Sequence, residues 1–511
     1  MSSTRRIDSR IAREPLFDVA GTRQVESAAT SAAGPFVLMA RAGGAVARLA
    51  LALMPHARRI VVFAGPGNNG GDGLEAATQL SAWGKSTRVR LHGDAARLPA
   101  EAAQAFARAR QADVAIDIAS AANADEGEAP DLVIDALLGI GVSRAPEAGI
   151  ATAIEQIAAW AKRGTRVLAV DTPSGLDVDR GQPLGARVVV ADDTLCLLTL
   201  KPGLFTAQGR DFVGHVWLDT LAADIVETGA CAWLVGSSDV HGRSDRRRQA
   251  QHKGSFGDVA VVGGAPGMAG AAILAASAAH AAGAGRVFVN LLDAGGAAAP
   301  LDPLRPELMF RAAWWQGPIE AVRASTVVCG CGGGDAVREA LPRLLSAAAR
   351  LVLDADALNA IAADPALQAM TSARAARSLQ TILTPHPLEA ARLLGRTTDA
   401  VQADRLAAAR DLAARYAAVV VLKGSGSVIT APSERPCLNA TGNASLATAG
   451  TGDVLAGWIG GRWRPGASAF DVATQAVIEH GAAAEPERGG PLRAADLVEA
   501  LYAMAGRVAG R

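Results

Sequence analysis

The chain has 511 residues, with 50 Lys and Arg against 50 Asp and Glu, and half of its residues are hydrophobic. A formal charge of zero excludes bulk electrostatic capture of nucleic acid or of an anionic membrane, and the apolar content excludes wholesale disorder. Five cysteines without a C-x-x-C pair exclude a disulfide framework and a zinc site, so a reduced, cytoplasmic setting is expected.

The length predicts two to four domains. Residues 1–15 are charged and lack an apolar core, so they do not read as a signal peptide. Strands are predicted at 59–64, 87–92, 131–136 and 166–171, then at 258–263, 286–291, 325–329, 350–354 and 418–423. Helical spacing falls between them, as at 74–83, 268–281 and 387–394. Such alternation predicts α/β domains with parallel sheets, whose ligands sit beyond the carboxyl ends of strands. The polar, basic run 240–253 reads as a linker between domains at 1–239 and 254–511.

The first strand runs into a loop with five glycines between Gly65 and Gly73, together with Asn68, Asn69 and Asp72. Glycines let backbone N–H groups approach a pyrophosphate, and a following helix adds positive potential. Two later strands end in Asp135 and Asp171, the latter followed by Ser174. Asn69, Asp135 and Ser174 would offer hard oxygen ligands, suited to an alkali or alkaline-earth cation. Gly84-Lys85-Ser86 resembles the end of a phosphate loop, but Gln79 stands where such a loop needs glycine, and the reading is rejected.

In the second half, Gly450-Thr451-Gly452-Asp453 opens a helix. Small residues there leave N–H groups free as an anion hole, while Asp453 can take a proton from a hydroxyl during phosphoryl transfer. Lys423, Gly424, Ser425, Gly426 and Ser427 follow a strand and suit a nucleotide phosphate cradle. His386 lies between two prolines, and Cys329 and Cys331 read as small buried residues. Lysine is rare, at 85, 162, 201, 253 and 423; Lys253 and Lys423 fall at candidate phosphate loops, and Lys162 and Lys201 have no functional reading.

Three segments of the first half, N-N-G-G-D-G at 68–73, D-A-L-L-G-I-G at 135–141 and D-T-P-S-G at 171–175, resemble the signature of NAD(P)H-hydrate epimerases. The second half resembles the ADP-dependent NAD(P)H-hydrate dehydratases, at 263–271, 353–359, 384–389, 423–427 and 441–457. The fused order is similar to bacterial bifunctional nicotinamide-nucleotide repair enzymes. The resemblance implies a Rossmann-like epimerase domain and a ribokinase-like dehydratase domain, each with three layers.

It further implies that Asn68, Asn69, Gly70, Gly71 and Asp72, with Gly139, Ile140, Gly141, Val142, Ser143 and Arg144, hold the dinucleotide. Asn69, Asp135 and Ser174 would ligate potassium, and Asp171 would contact the hydrated ring and transfer a proton. In the other domain Asp453 would be the base, Gly450 to Gly452 the anion hole, and Lys423 to Ser427 the cradle for ADP with Mg2+. Ala271, Gly332 and His386 would line the hydrate pocket. The partners implied are small molecules, with a homo-oligomer expected. Ile140, Leu388, Cys331 and Ala449 depart from the usual Thr, Gly, Pro and Gly of these families. A ribokinase-like small-molecule kinase fused to a non-catalytic nucleotide-binding module is the alternative.

Overall fold

Residues 60–64, 132–134 and 167–170 are apolar without alternation, which suits strands buried on both faces of a parallel sheet. The computed structural model describes residues 4–118, 128–240, 249–292, 301–485 and 491–509. The chain groups into two compact units, one running to Leu234 apart from Ser9–Arg13, the other comprising Ser9–Arg13 and Val235–Arg511. Of the expected linker at 240–253, residues 241–248 lie outside the described residues. Among the described residues, no single helix is long and apolar enough to cross a membrane.

The first unit carries an eight-stranded sheet in the order Arg5–Ile7, His215–Asp219, Asp193–Leu197, Arg166–Val170, Leu132–Ala136, Arg59–Ala64, Ser86–Leu91, Ala115–Ile118. All neighbours are parallel except the first pair. Ile60, Val62 and Ala64 face one core with Ala47 and Leu74, whereas Val61 and Phe63 face another with Ile154 and Trp160. Helices therefore cover both faces, giving three layers. Strand order reverses beside Arg59–Ala64, because its successors lie on one side and Leu132–Ala136 returns on the other. At that point the loops diverge and leave a crevice.

The second unit repeats this logic. Its strands run Met309–Phe310, Arg286–Leu291, Asp258–Gly263, Thr326–Cys329, Arg350–Leu353, Gln380–Leu383, Val419–Leu422, Val428–Thr430, Cys437–Asn439. The first seven are mutually parallel and the last two turn back antiparallel. The order reverses between Asp258–Gly263 and Thr326–Cys329. One face of the sheet packs on helices Val337–Ala347 and Ala355–Ala363. On the other, Gly460 lets helix Thr451–Arg462 come down on Val328, and Gly457 and Gly461 lie against the carbonyls of Ala275 and Ala279 in helix Ala269–Ala281.

The predicted strands are present with ends moved by at most one residue, and the helix Pro387–Leu394 has its predicted ends. One expectation is corrected. The segment from Asn68 to Gly73 is not a loop, because the helix Asn68–Ala82 already begins there behind Gly67. A Cβ on Gly70 would lie 2.0 Å from the Gly65 carbonyl oxygen, and one on Gly73 would lie 2.6 Å from Ala136 Cβ. These glycines let the first helical turns press on the sheet.

Candidate functional site

In the first unit, a cleft of about 450 Å3 opens at the reversal point. Asn68, Asn69, Asp72, Gly139, Ile140, Gly141, Val142 and Asp171 line it. Gly70 and Gly71 do not, being buried within the helix, and the exposed Ser143 and Arg144 also stand off. Arg144 instead pairs with Glu147 at 2.8 Å.

Asp135 is fully buried. Its carboxylate accepts from Ser174 Oγ at 2.7 Å, Ser174 N–H at 2.9 Å and Leu137 N–H at 3.2 Å. Burial pushes the Asp135 carboxyl up to about 6, against these hydrogen bonds. Ser174 Oγ also accepts from Leu138 N–H at 2.9 Å, and a Cβ on the next residue, Gly139, would lie 3.2 Å from Asn69 Cβ. Asn69 Nδ2 is buried without a hydrogen-bond partner among the described residues. A buried carboxylate, a hydroxyl and an amide free to turn its oxygen make a donor set that fits a hard monovalent cation.

Asp171 follows strand Arg166–Val170 at φ +65°, a left-handed conformation strained for any residue with a Cβ. Its Oδ1 accepts from Leu197 N–H at 3.0 Å and from Lys201 Nζ. Lys201 is fully buried, and its ammonium also donates to the Leu197 carbonyl at 3.1 Å. Sequence reasoning assigned Lys201 nothing; its rarity in an arginine-rich chain was the only signal. Asp72 lines the same cleft as Asp171. Burial first, then the Asp171, Glu26 and Glu101 carboxylates, hold its carboxyl well above the usual range. Glu26 is also raised, by burial and then by Asp171.

In the second unit, Asp453 sits in the first turn of helix Thr451–Arg462, behind Gly450 at φ +90°. Ligating atoms of Asp453, Asp354 and Cys331 lie within 4.8 Å of one another. Asp354 accepts from Lys423 Nζ at 2.7 Å and Thr384 Oγ1 at 2.8 Å. Burial and then Asp354 push Asp453 up to about 6, while the Cys331 thiol hydrogen bond and Lys423 oppose the shift. Cys331 is thus more than a small core residue, since it touches the proposed base. The Gly330–Gly334 loop keeps its turn through positive φ at Gly330, Gly332 and Gly334.

Gly332 and Ala271 come together, as a Cβ on Gly332 would lie 2.9 Å from Ala271 Cβ. A Cβ on Gly452 would lie 3.2 Å from Lys423 Nζ, which places the predicted phosphate turn beside the helix start. That turn joins antiparallel strands, with Gly424 and Ser425 exposed, Gly426 buried and Ser427 Oγ donating to the Gly424 carbonyl at 3.3 Å. The buried Arg405, missed in the sequence, holds the carbonyls of Leu422 and Lys423 at 3.2 Å. His386 caps helix Pro387–Leu394 by accepting from Leu388 N–H at 3.1 Å. Burial and then Lys423 lower its proton affinity, so the half-exposed ring is a neutral cap facing the Lys423–Asp354 pair.

Residues 259–499 match the family model described as NAD(P)H-hydrate dehydratase, and residues 35–203 match that described as YjeF-related protein N-terminus. The bifunctional NAD(P)H-hydrate repair enzyme of Escherichia coli (strain K12) is 36% identical over 462 residues, covering 88% of this chain and 85% of its own. That of Coxiella burnetii is 36% identical over 490 residues, covering 92% of this chain and 94% of its own. A solved ADP/ATP-dependent NAD(P)H-hydrate dehydratase from Bacillus subtilis, co-crystallised with ATP and Mg2+, is 29% identical. It covers 51% of this chain and 93% of that one, with a TM-score of 0.43.

Proposed function

The chain belongs to the family of bifunctional NAD(P)H-hydrate repair enzymes, and on that premise we propose how its two units divide the work. The first interconverts the R and S C6 hydrates of NADH and NADPH, and the second dehydrates the S hydrate using ADP. The observation that carries this reading is Asp453, a half-buried carboxyl at a helix N-terminus beside the Lys423–Asp354 pair.

In the second unit, Asp453 removes the proton of the C6 hydroxyl, whose oxygen attacks the β-phosphoryl of ADP as AMP departs. Backbone N–H groups of Gly450, Thr451 and Gly452 meet the transferring phosphoryl, and Lys423 to Ser427 hold the Mg2+–ADP substrate. Phosphate then leaves with its C6 oxygen, and loss of a ring proton restores the dihydronicotinamide. Ala271, Gly332 and His386 border the ring.

In the first unit, Asn68, Asn69 and Asp72, with residues 139–142, orient the dinucleotide, and Asp171 transfers a proton at the ring. Asn69, Asp135 and Ser174 would hold a potassium ion, which supplies positive charge against the buried Asp135 carboxylate.

The test incubates the purified protein with mixed hydrate epimers and ADP, following recovery of the dihydronicotinamide absorbance and release of AMP. Asp453→Asn should lower dehydration by about 10²–10⁴-fold, the usual loss for a positioned base, while the R and S forms still interconvert. Undiminished dehydration by that variant would overturn the assignment.

A further inference from the structure

We propose that Asp72 is the proton donor of the first unit's cleft, working opposite Asp171, which Lys201 holds as the acceptor. This rests on reading the cleft as a hydrate epimerase. In the route we assign, the C6–O bond breaks and re-forms on the other ring face, and hydroxide leaves poorly unless it is protonated. The cleft wall must then present one protonated and one ionised group together.

The geometry separates the two roles. Asp171 and Asp72 both line the cleft but come from different elements, the turn after Arg166–Val170 and the start of helix Asn68–Ala82. Asp171 Oδ1 receives a fully buried ammonium and a backbone N–H, leaving Oδ2 without a hydrogen bond among the described residues. Asp72 receives no hydrogen bond or ion pair among the described residues. The groups facing it are Asp171, Glu26 from helix Val19–Ala33 and Glu101 from helix Ala100–Gln111. The nearby cations are Lys201, taken by Asp171, and Arg23, beside Glu26. Several carboxyls with so little positive charge cannot all ionise, and burial and like charge keep the proton on Asp72.

The step balances without oxidant or reductant. The Asp72 proton passes to the C6 hydroxyl oxygen, the C6–O pair departs with water, and the ring nitrogen lone pair stabilises the cation at C6. Water adds from the opposite face and gives its proton to Asp171. Proton exchange through solvent then restores both carboxyls.

The experiment measures R/S interconversion against pH in the full-length protein, its Asp72→Asn and Asp72→Glu variants, and Lys201→Met and Lys201→Arg. The expected wild-type rate falls on the alkaline side as Asp72 ionises. Asp72→Asn should lose about 10²–10⁴-fold in kcat, with KM moving far less, and should lose the alkaline limb. Asp72→Glu recovers part of the rate. Lys201→Met lowers kcat, and Lys201→Arg, which keeps the positive charge beside Asp171, recovers part of it. ADP-dependent dehydration in the same samples reports an intact chain, and thermal unfolding reports a folded first unit. A kcat for Asp72→Asn within threefold of wild type, or an unchanged alkaline limb in that variant, overturns the donor assignment alone. Absence of interconversion in the wild type overturns the reading of the cleft itself.

Discussion

Asp135 has no exposed surface, and an ionised carboxyl there opposes folding above its raised value of about 6. A cation held with Asn69 and Ser174 offsets that cost, so potassium should raise the melting temperature of the first unit. The gain should be larger at pH 7.5 than at pH 5, where Asp135 is mostly protonated, and absent in Asp135→Asn. Calorimetry with potassium against a bulky organic cation checks this, and equal melting temperatures at pH 7.5 would contradict it. In the second unit, Asp453 acts as a base only when ionised. Its value of about 6 therefore places the acid limb of dehydration near that pH, with activity lost as pH falls through it. Cys331→Ala removes a hydrogen bond that favours the ionised form, so the limb should move upward in a kcat profile. The acids themselves were legible in the sequence because each ends a strand or opens a helix. Their partners were not, as Lys201 is 30 residues from Asp171 and Lys423 is 69 from Asp354.

At the scale of elements, the reversal of strand order decides where each site forms, and glycine decides how closely the loops there can pass. A Cβ on Gly65 would lie 1.7 Å from the Leu137 carbonyl oxygen, so these two loops are in backbone contact. Gly65→Ala should destabilise the first unit by about 1–3 kcal/mol, the usual cost of overpacking, and abolish epimerisation. Dehydration by the second unit should survive, and thermal unfolding with both assays on one sample distinguishes the outcomes. Strand positions were readable because runs buried on both faces are uninterrupted and β-branched. The start of helix Asn68–Ala82 was not, because glycine and asparagine carry loop signals locally. Packing on Gly65 and Ala136 overrides that preference. His386 shows the reverse case, a residue read as a pocket wall that also serves as a helix cap.

For the whole molecule, zero net charge fits a chain that meets its anionic ligands through helix starts and a few buried cations. The chain forms two compact units, and with epimerisation proposed for the first and dehydration for the second, Asp453→Asn and Asp72→Asn should each remove one activity and spare the other. The sequence by itself determined two α/β units, their strands and the carboxylates at strand and helix ends, since hydrophobic periodicity and glycine motifs are local properties. It also carried the family: both halves hold its motifs, and two bifunctional repair enzymes are 36% identical over most of the chain. Only the tertiary structure decided which charges meet: Lys201 with Asp171, Lys423 with Asp354, Cys331 with Asp453, and Asp72 among three other carboxyls. The reason is physical. Burial and long-range pairing set whether a carboxyl keeps its proton, and neither is a property of neighbours along the chain.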